Sequence, residues 1–144
     1  MTISNLSGIL VGFDGSDGAR RAAEFARNVA RAFKARLTLL NVIELLPAGD
    51  RAGLEASEHA WYVKQMRHGT GLLADLADEL QTPEAERAVE MGHPADVICR
   101  EAEERNIDLI VLGRHGHRPG PRLMIGSVGA TVAAAANRSV TIVR

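Results

Sequence analysis

The pattern of apolar positions begins with a short unbroken run, Ile9-Leu10-Val11-Gly12-Phe13, that stops at Asp14-Gly15-Ser16. A run apolar at every position, not every second one, belongs to a strand covered on both faces, as in parallel sheets. Behind it Ala19, Ala22, Ala23, Ala26, Val29, Ala30 and Phe33 recur at helical spacing, with Ser16 or Asp17 placed to cap the helix. Leu37 to Ile43 is a second buried strand, and Leu45 to Gly53, with Pro47 and Gly49, reads as a loop of the length found at functional sites. A long helix is predicted from about Leu54 to Leu80, with Tyr62, Met66, Leu72, Leu73, Leu76 and Leu80 on one face. Gly69-Thr70-Gly71 interrupts it at about 1 kcal/mol per glycine, which predicts a kink or a close small-residue contact.

The second half continues the alternation. Ala85 to Met91 is strand-like, but Glu86, Arg87 and Glu90 suit it to a sheet edge. Pro94 opens the next helix at its first position, with Ala95, Ile98 and Ala102 as the inner stripe. Ile107 to Leu112 is the third strongly apolar strand, Ser127 to Ala136 a helix rich in small residues, and Val140 to Val143 a fifth strand. Alternating strands and helices predict an α/β fold: an open, twisted, parallel five-stranded sheet with right-handed crossovers and helices on both faces. Placing the apolar strands centrally and the polar third strand at an edge gives the order 3-2-1-4-5. Ligands bind such sheets beyond the carboxyl ends of the strands where the order reverses, here between strands one and four, so Asp14 and Gly113 should flank one crevice.

At 144 residues the chain is expected to form a single domain, 1–144, large enough to fold without a staple. No apolar run reaches membrane-spanning length, and no basic region precedes the first apolar stretch, so a cytoplasmic protein is expected. The lone Cys99 excludes an internal disulfide and a CxxC pair. A net charge of -1 and five aromatic residues argue against a nucleic-acid binder that neutralises phosphates or stacks bases along a strand. The charge is unevenly spread, however. From Leu109 onward there is no Asp or Glu, while Arg114, Arg118, Arg122, Arg138 and Arg144 lie there with His115 and His117. A basic segment in a near-neutral protein suits a small anionic ligand.

That segment also carries the motif Gly113-Arg114-His115-Gly116, nine further residues, then Gly126-Ser127. Glycines at a strand end let backbone N–H groups approach an anion, and a helix starting at Ser127 adds free N–H groups and the positive end of its dipole. Competing phosphate signatures are missing: there is no Gly-Lys-Ser or Gly-Lys-Thr, Gly12, Gly15 and Gly18 do not follow the dinucleotide spacing, and Ser127 has Ile125 two positions before it where a hydrolase elbow has glycine. Trp61 and Tyr62 read as packing anchors, His59 and His68 as exposed, and Cys99 as a partly buried small hydrophobe.

These residues resemble the universal stress protein family. Ile9 to Ser16 is similar to its opening strand, Gly92-His93-Pro94-Ala95 through Gly113 to its middle block, and Gly113-x2-Gly116-x9-Gly126-Ser127 to its nucleotide-binding motif. The likeness covers nearly the whole chain and is weakest from Leu45 to Thr82. It implies the Rossmann-like fold, a cytoplasmic stress-linked role, a homodimer and, in the subgroup with the full glycine motif, bound ATP with or without Mg²⁺. Carried over, Asp14 would contact the ribose and Val42 the adenine through its backbone. Gly113, Gly116, Gly126, Ser127 and Val128 would hold the phosphates, and Arg114, Arg118 and Arg122, read from the sequence itself, are placed to neutralise the triphosphate. Two features depart from the family pattern: Pro119-Gly120-Pro121 within the motif, and Ser139 where a proline is common. The resemblance points to a binding and signalling module. A slow ATPase or self-phosphorylating enzyme, and a dimeric interaction protein without nucleotide, are the alternatives. The apolar final strand, Val140 to Val143, lacks the charges and prolines that protect an edge, and is the expected dimer contact.

Overall fold

The apolar runs become strands, and the helices between them sort to two faces. The computed structural model describes residues 5–45, 55–115 and 125–144. Five parallel strands, β1 (Gly8–Gly12), β2 (Arg36–Ile43), β3 (Glu86–Met91), β4 (Leu109–Gly113) and β5 (Ser139–Val143), pair in the order β3-β2-β1-β4-β5. On one face α1 (Asp17–Phe33) and α2 (Glu55–Glu79) pack over Ile9, Val11, Leu37, Leu39 and Val111. On the other, α3 (Pro94–Glu104) and α4 (Ser127–Ala135) cover Leu10, Leu40, Ile110 and Leu112. Alternate residues of β1 thus enter opposite cores, the two-sided burial that a continuously apolar strand predicts.

Ser16 is the N-cap of α1, its hydroxyl accepting from Ala19 N at 3.2 Å. The buried stripe of α1 is almost all alanine, which lets the helix lie close to the sheet. Helix α2 runs unbroken through Gly69-Thr70-Gly71. The two glycines differ in kind: a Cβ on Gly69 would stand 2.5 Å from Asn41 Oδ1 and 3.0 Å from Val89 Cγ1, whereas Gly71 has open space. Gly69 is therefore a contact point with β2 and β3, not a hinge.

The 25 residues of α2 extend roughly 37 Å, while the eight of β2 reach about 26 Å. The helix is longer than the sheet is tall. Among the described residues its buried positions begin at Gly69 and continue through Leu73, Leu76 and Ala77, so the part before Gly69 overhangs the carboxyl edge of the sheet.

At the opposite edge the carboxylate of Asp108 accepts from Ser7 N (2.8 Å), Ser7 Oγ (2.9 Å) and Gly8 N (3.0 Å), tying the entries of β1 and β4 together. The bond from the Ser7 amide, helped by the other two and by Arg138, holds the Asp108 carboxyl below its ordinary range. Among the described residues no helix is long and apolar enough to cross a membrane.

Candidate functional site

A cavity of about 520 Å³ opens at the carboxyl ends of β1, β2 and β4, where the chain's crossovers diverge to opposite faces. That volume is within the range of small-molecule and cofactor sites. Asp14, Val42, Gly113, Arg114, Gly126, Ser127 and Val128 all line it. Residues separated by up to 114 positions in sequence are thus brought to one wall system. Gly116, His117, Arg118, Pro119-Gly120-Pro121 and Arg122 lie outside the described residues, as does most of the loop expected from Leu45 to Gly53.

The end of β1 is held in place by polar contacts with β2. Phe13 N donates to Leu40 O at 2.8 Å, and Asn41 Nδ2 donates to Phe13 O at 2.9 Å. Asp14 Oδ1 then accepts from Ser16 N at 2.9 Å, a local turn that fixes the carboxylate at the mouth of α1. Gly15 takes φ +85°, the left-handed conformation that makes glycine the natural residue for this turn.

On the β4 side the backbones come into direct contact. A Cβ at Gly113 would lie 2.7 Å from C and O of Gly18 and 2.9 Å from Ala19 N, and one at Gly18 would lie 2.7 Å from His115 O. The sequence reading assigned Gly113 to the approach of phosphate; the structure shows that its missing side chain is already needed by the first turn of α1. Beyond β4, Arg114 N donates to Val143 O at 2.9 Å and Gly126 N to Arg114 O at 2.7 Å, which pins the start of α4 to the end of β4.

Helix α4 begins after Gly126, which makes no side-chain cap, with no acidic residue in its first turn and no capping side chain among the described residues. The N–H groups of Ser127, Val128 and Gly129 have no acceptor within the helix, and all three residues line the cavity. This uncapped end, carrying the positive pole of the helix, is a place for an anion. His115 lies beside it with its Nε2 buried and without a hydrogen-bond partner among the described residues.

The β2 side of the cavity has a different character. Trp61, Gln65, His68 and Leu72 of α2 line it together with Asn41, Val42, Ile43 and Glu44. Of these α2 residues the sequence places only Leu72 on an inner face; following the apolar stripe through Tyr62 and Met66 leaves Trp61, Gln65 and His68 out of the site. The spacing 61, 65, 68, 72 is itself a helical face and was the available signal. His68 is exposed and Cys99 half-buried, as read from the sequence, whereas Trp61 stands at the cavity and not in the core.

A family model described as the universal stress protein family matches residues 7–144. A universal stress protein of Thermus aquaticus is 32% identical over 136 residues, spanning 94% of this chain and 97% of that protein. The solved universal stress protein UspA from Lactobacillus plantarum superposes with a TM-score of 0.86 at 27% identity, covering 97% of this chain and 99% of its own. A universal stress protein solved in complex with cAMP gives a TM-score of 0.66 at 26% identity, covering 96% and 97% of the two chains.

Proposed function

The chain belongs to the universal stress protein family, and from that premise we propose that it is an ATP-binding, stress-linked signalling module whose nucleotide sits in the crevice between β1 and β4. The observation that carries this reading is the meeting, in one cavity, of an uncapped helix N-terminus and a carboxylate fixed at the end of β1. In this assignment the N–H groups of Ser127 and Val128 donate to phosphate oxygens, with Gly126 giving the phosphate room and Arg114 adding charge. Gly116 joins them from outside the described residues. Asp14 accepts from a ribose hydroxyl, and the Val42 backbone meets adenine. The relative of known structure that holds cAMP supports an adenine nucleotide as the ligand class.

Mg²⁺ keeps most of its waters and takes one or two carboxylates beside phosphate. Among the described residues Asp14 and Glu44 are the carboxylates lining the cavity, and no group of three His, Cys, Asp or Glu forms a metal site. An ion would therefore fit as a companion of the nucleotide. Hydrolysis requires an oriented water and a base at the γ-phosphate. No carboxylate stands among the described residues of the motif, 113–115 and 125–128, so turnover is expected far below the enzyme median of about 10 per second. A single free cysteine suits a reducing compartment such as the cytoplasm. The open outer edge of β5 suits pairing with a second copy of the chain.

The test is thermal unfolding with and without ATP. At a hundredfold excess over its dissociation constant the ligand stabilises the folded state by about 2.7 kcal/mol, roughly 8–10 °C for a chain of this size. Gly126→Val should remove that shift by crowding the phosphate position, and Ser127→Ala should largely retain it because the backbone donor remains. A wild-type protein whose melting does not respond to ATP overturns the proposal.

A further inference from the structure

We propose that Trp61 is the stacking platform for the purine base of the bound nucleotide, with the Gln65 amide one turn along reading the edge of that base. The inference rests on the nucleotide reading above and extends it to residues of α2 that the glycine motif does not reach.

The first ground is placement. Trp61, Gln65, His68 and Leu72 form one face of α2, and all four line the cavity. Trp61 and Gln65 are half-buried although, among the described residues, none of α2 before Gly69 is fully buried. Both side chains line the crevice at a point where the helix has already passed the carboxyl edge. Tyr62 packs edge-on against the indole, with ring centroids 4.8 Å apart and planes at 77°, so Trp61 is braced by its neighbour outside the main core.

The second ground is polarity along the cavity. The uncapped end of α4 lies on the β4 side, and the Trp61 face lies over β2, with β1 between. Along the sheet β4 and β2 stand two strand spacings, roughly 10 Å, apart, and α4 and α2 lie on its opposite faces, so a ligand that joins the two walls crosses the top of β1. A nucleotide anchored by phosphate at Ser127 and by ribose at Asp14 therefore directs its base toward α2.

The third ground is chemistry. An indole is the largest side-chain π surface, and base stacking on an aromatic ring contributes to affinity with any base, most with the larger purines. The Gln65 amide offers a donor and an acceptor side by side, matching the adjacent acceptor and donor on adenine's edge. Gly69 sets the height of this face, since its missing Cβ is what lets α2 approach Asn41.

Trp61 is the only tryptophan in the chain, so its fluorescence reports this contact directly. ATP and UTP binding would be measured by calorimetry on the full chain and on Trp61→Ala, Trp61→Phe and Gln65→Leu, alongside tryptophan emission of the wild type. The inference predicts quenching by ATP. It also predicts that Trp61→Ala loses roughly five- to a hundredfold in ATP affinity, with a smaller loss for UTP. Trp61→Phe should recover most of the ATP affinity, and Gln65→Leu should weaken ATP without weakening UTP equally. Unchanged ATP affinity in Trp61→Ala, or equal losses for ATP and UTP, would overturn the stacking role while leaving the nucleotide reading intact. No binding heat with any nucleotide in the wild type would overturn both.

Discussion

Replacing Gly113 by alanine separates two reasons for a glycine at the end of β4. Gly113 does not take a positive φ, so the demand for glycine is spatial. The added Cβ would stand 2.7 Å from the C and O atoms of Gly18 and 2.9 Å from Ala19 N, whereas carbon contacts settle near 3.5–4.0 Å. The first turn of α1 must therefore retreat by roughly 1 Å. All three atoms are backbone, and that turn is committed to the Ser16 cap and to the bond from Arg20 N to Ser16 O at 3.0 Å. No rotamer change can relieve the contact. Overpacking of this kind costs about 1–3 kcal/mol, or roughly 3–10 °C in Tm for a chain of this length. The assay is calorimetric melting of Gly113→Ala in the absence of nucleotide, beside Gly126→Ala, whose Cβ would meet Arg114 O at the milder distance of 3.1 Å. Gly113→Ala should melt well below wild type and Gly126→Ala close to it. If Gly113→Ala melted within about 1 °C of wild type and lost only its response to ATP, the backbone contact with α1 would not be the reason for this glycine.

Three further outcomes follow from the packing and the edges. Gly71→Ala should raise stability by about 1 kcal/mol through helix propensity, while Gly69→Ala should lower it, because its Cβ would stand 2.5 Å from the Asn41 Oδ1 whose amide is tied to Phe13 O; denaturant midpoints distinguish the two. Asp108→Asn should cost about 1 kcal/mol at neutral pH, allowing for its partial exposure. The depressed carboxyl pKa, caused first by the Ser7 amide, means that this stability is present above the unfolded value of about 3.9 and is lost as pH falls toward the folded value. The gap between mutant and wild type in melting curves should therefore close in acid. By light scattering the protein should be a dimer and Ile142→Pro a monomer. Val143 O accepts from Arg114 N on the β4 side, so the alternating N–H of Ile142 points to the open edge, where proline removes an outward donor without touching the inner ladder. A monomeric wild type would refute this interface.

How much of this was legible in the sequence depends on what each residue packs against. Strands β1, β2 and β4 stood out because both of their faces are buried, and the charges of Glu86, Arg87 and Glu90 marked β3 as an edge. The start of β4 was read two residues early. Ile107 is fully buried yet precedes the strand, following a turn in which Asn106 takes φ +53°. In α3 the buried face includes Glu101, a residue that charge alone assigns to solvent; Arg105 Nε donates to its carboxylate at 2.7 Å and makes the burial tolerable. At the crevice, Asp14 and the glycines could be found from spacing and chain position. The α2 wall could not be found from hydrophobic periodicity, because that signal reports contact with the sheet, and Trp61 and Gln65 stand beyond its edge.

The most direct measurement of the central claim is a crystal structure of the protein grown or soaked with ATP at saturating concentration. The account predicts phosphate density within about 3 Å of the Ser127 and Val128 amides, with ribose beside Asp14 and the base over β2. An empty crevice at saturation, or a nucleotide bound elsewhere on the chain, would contradict it.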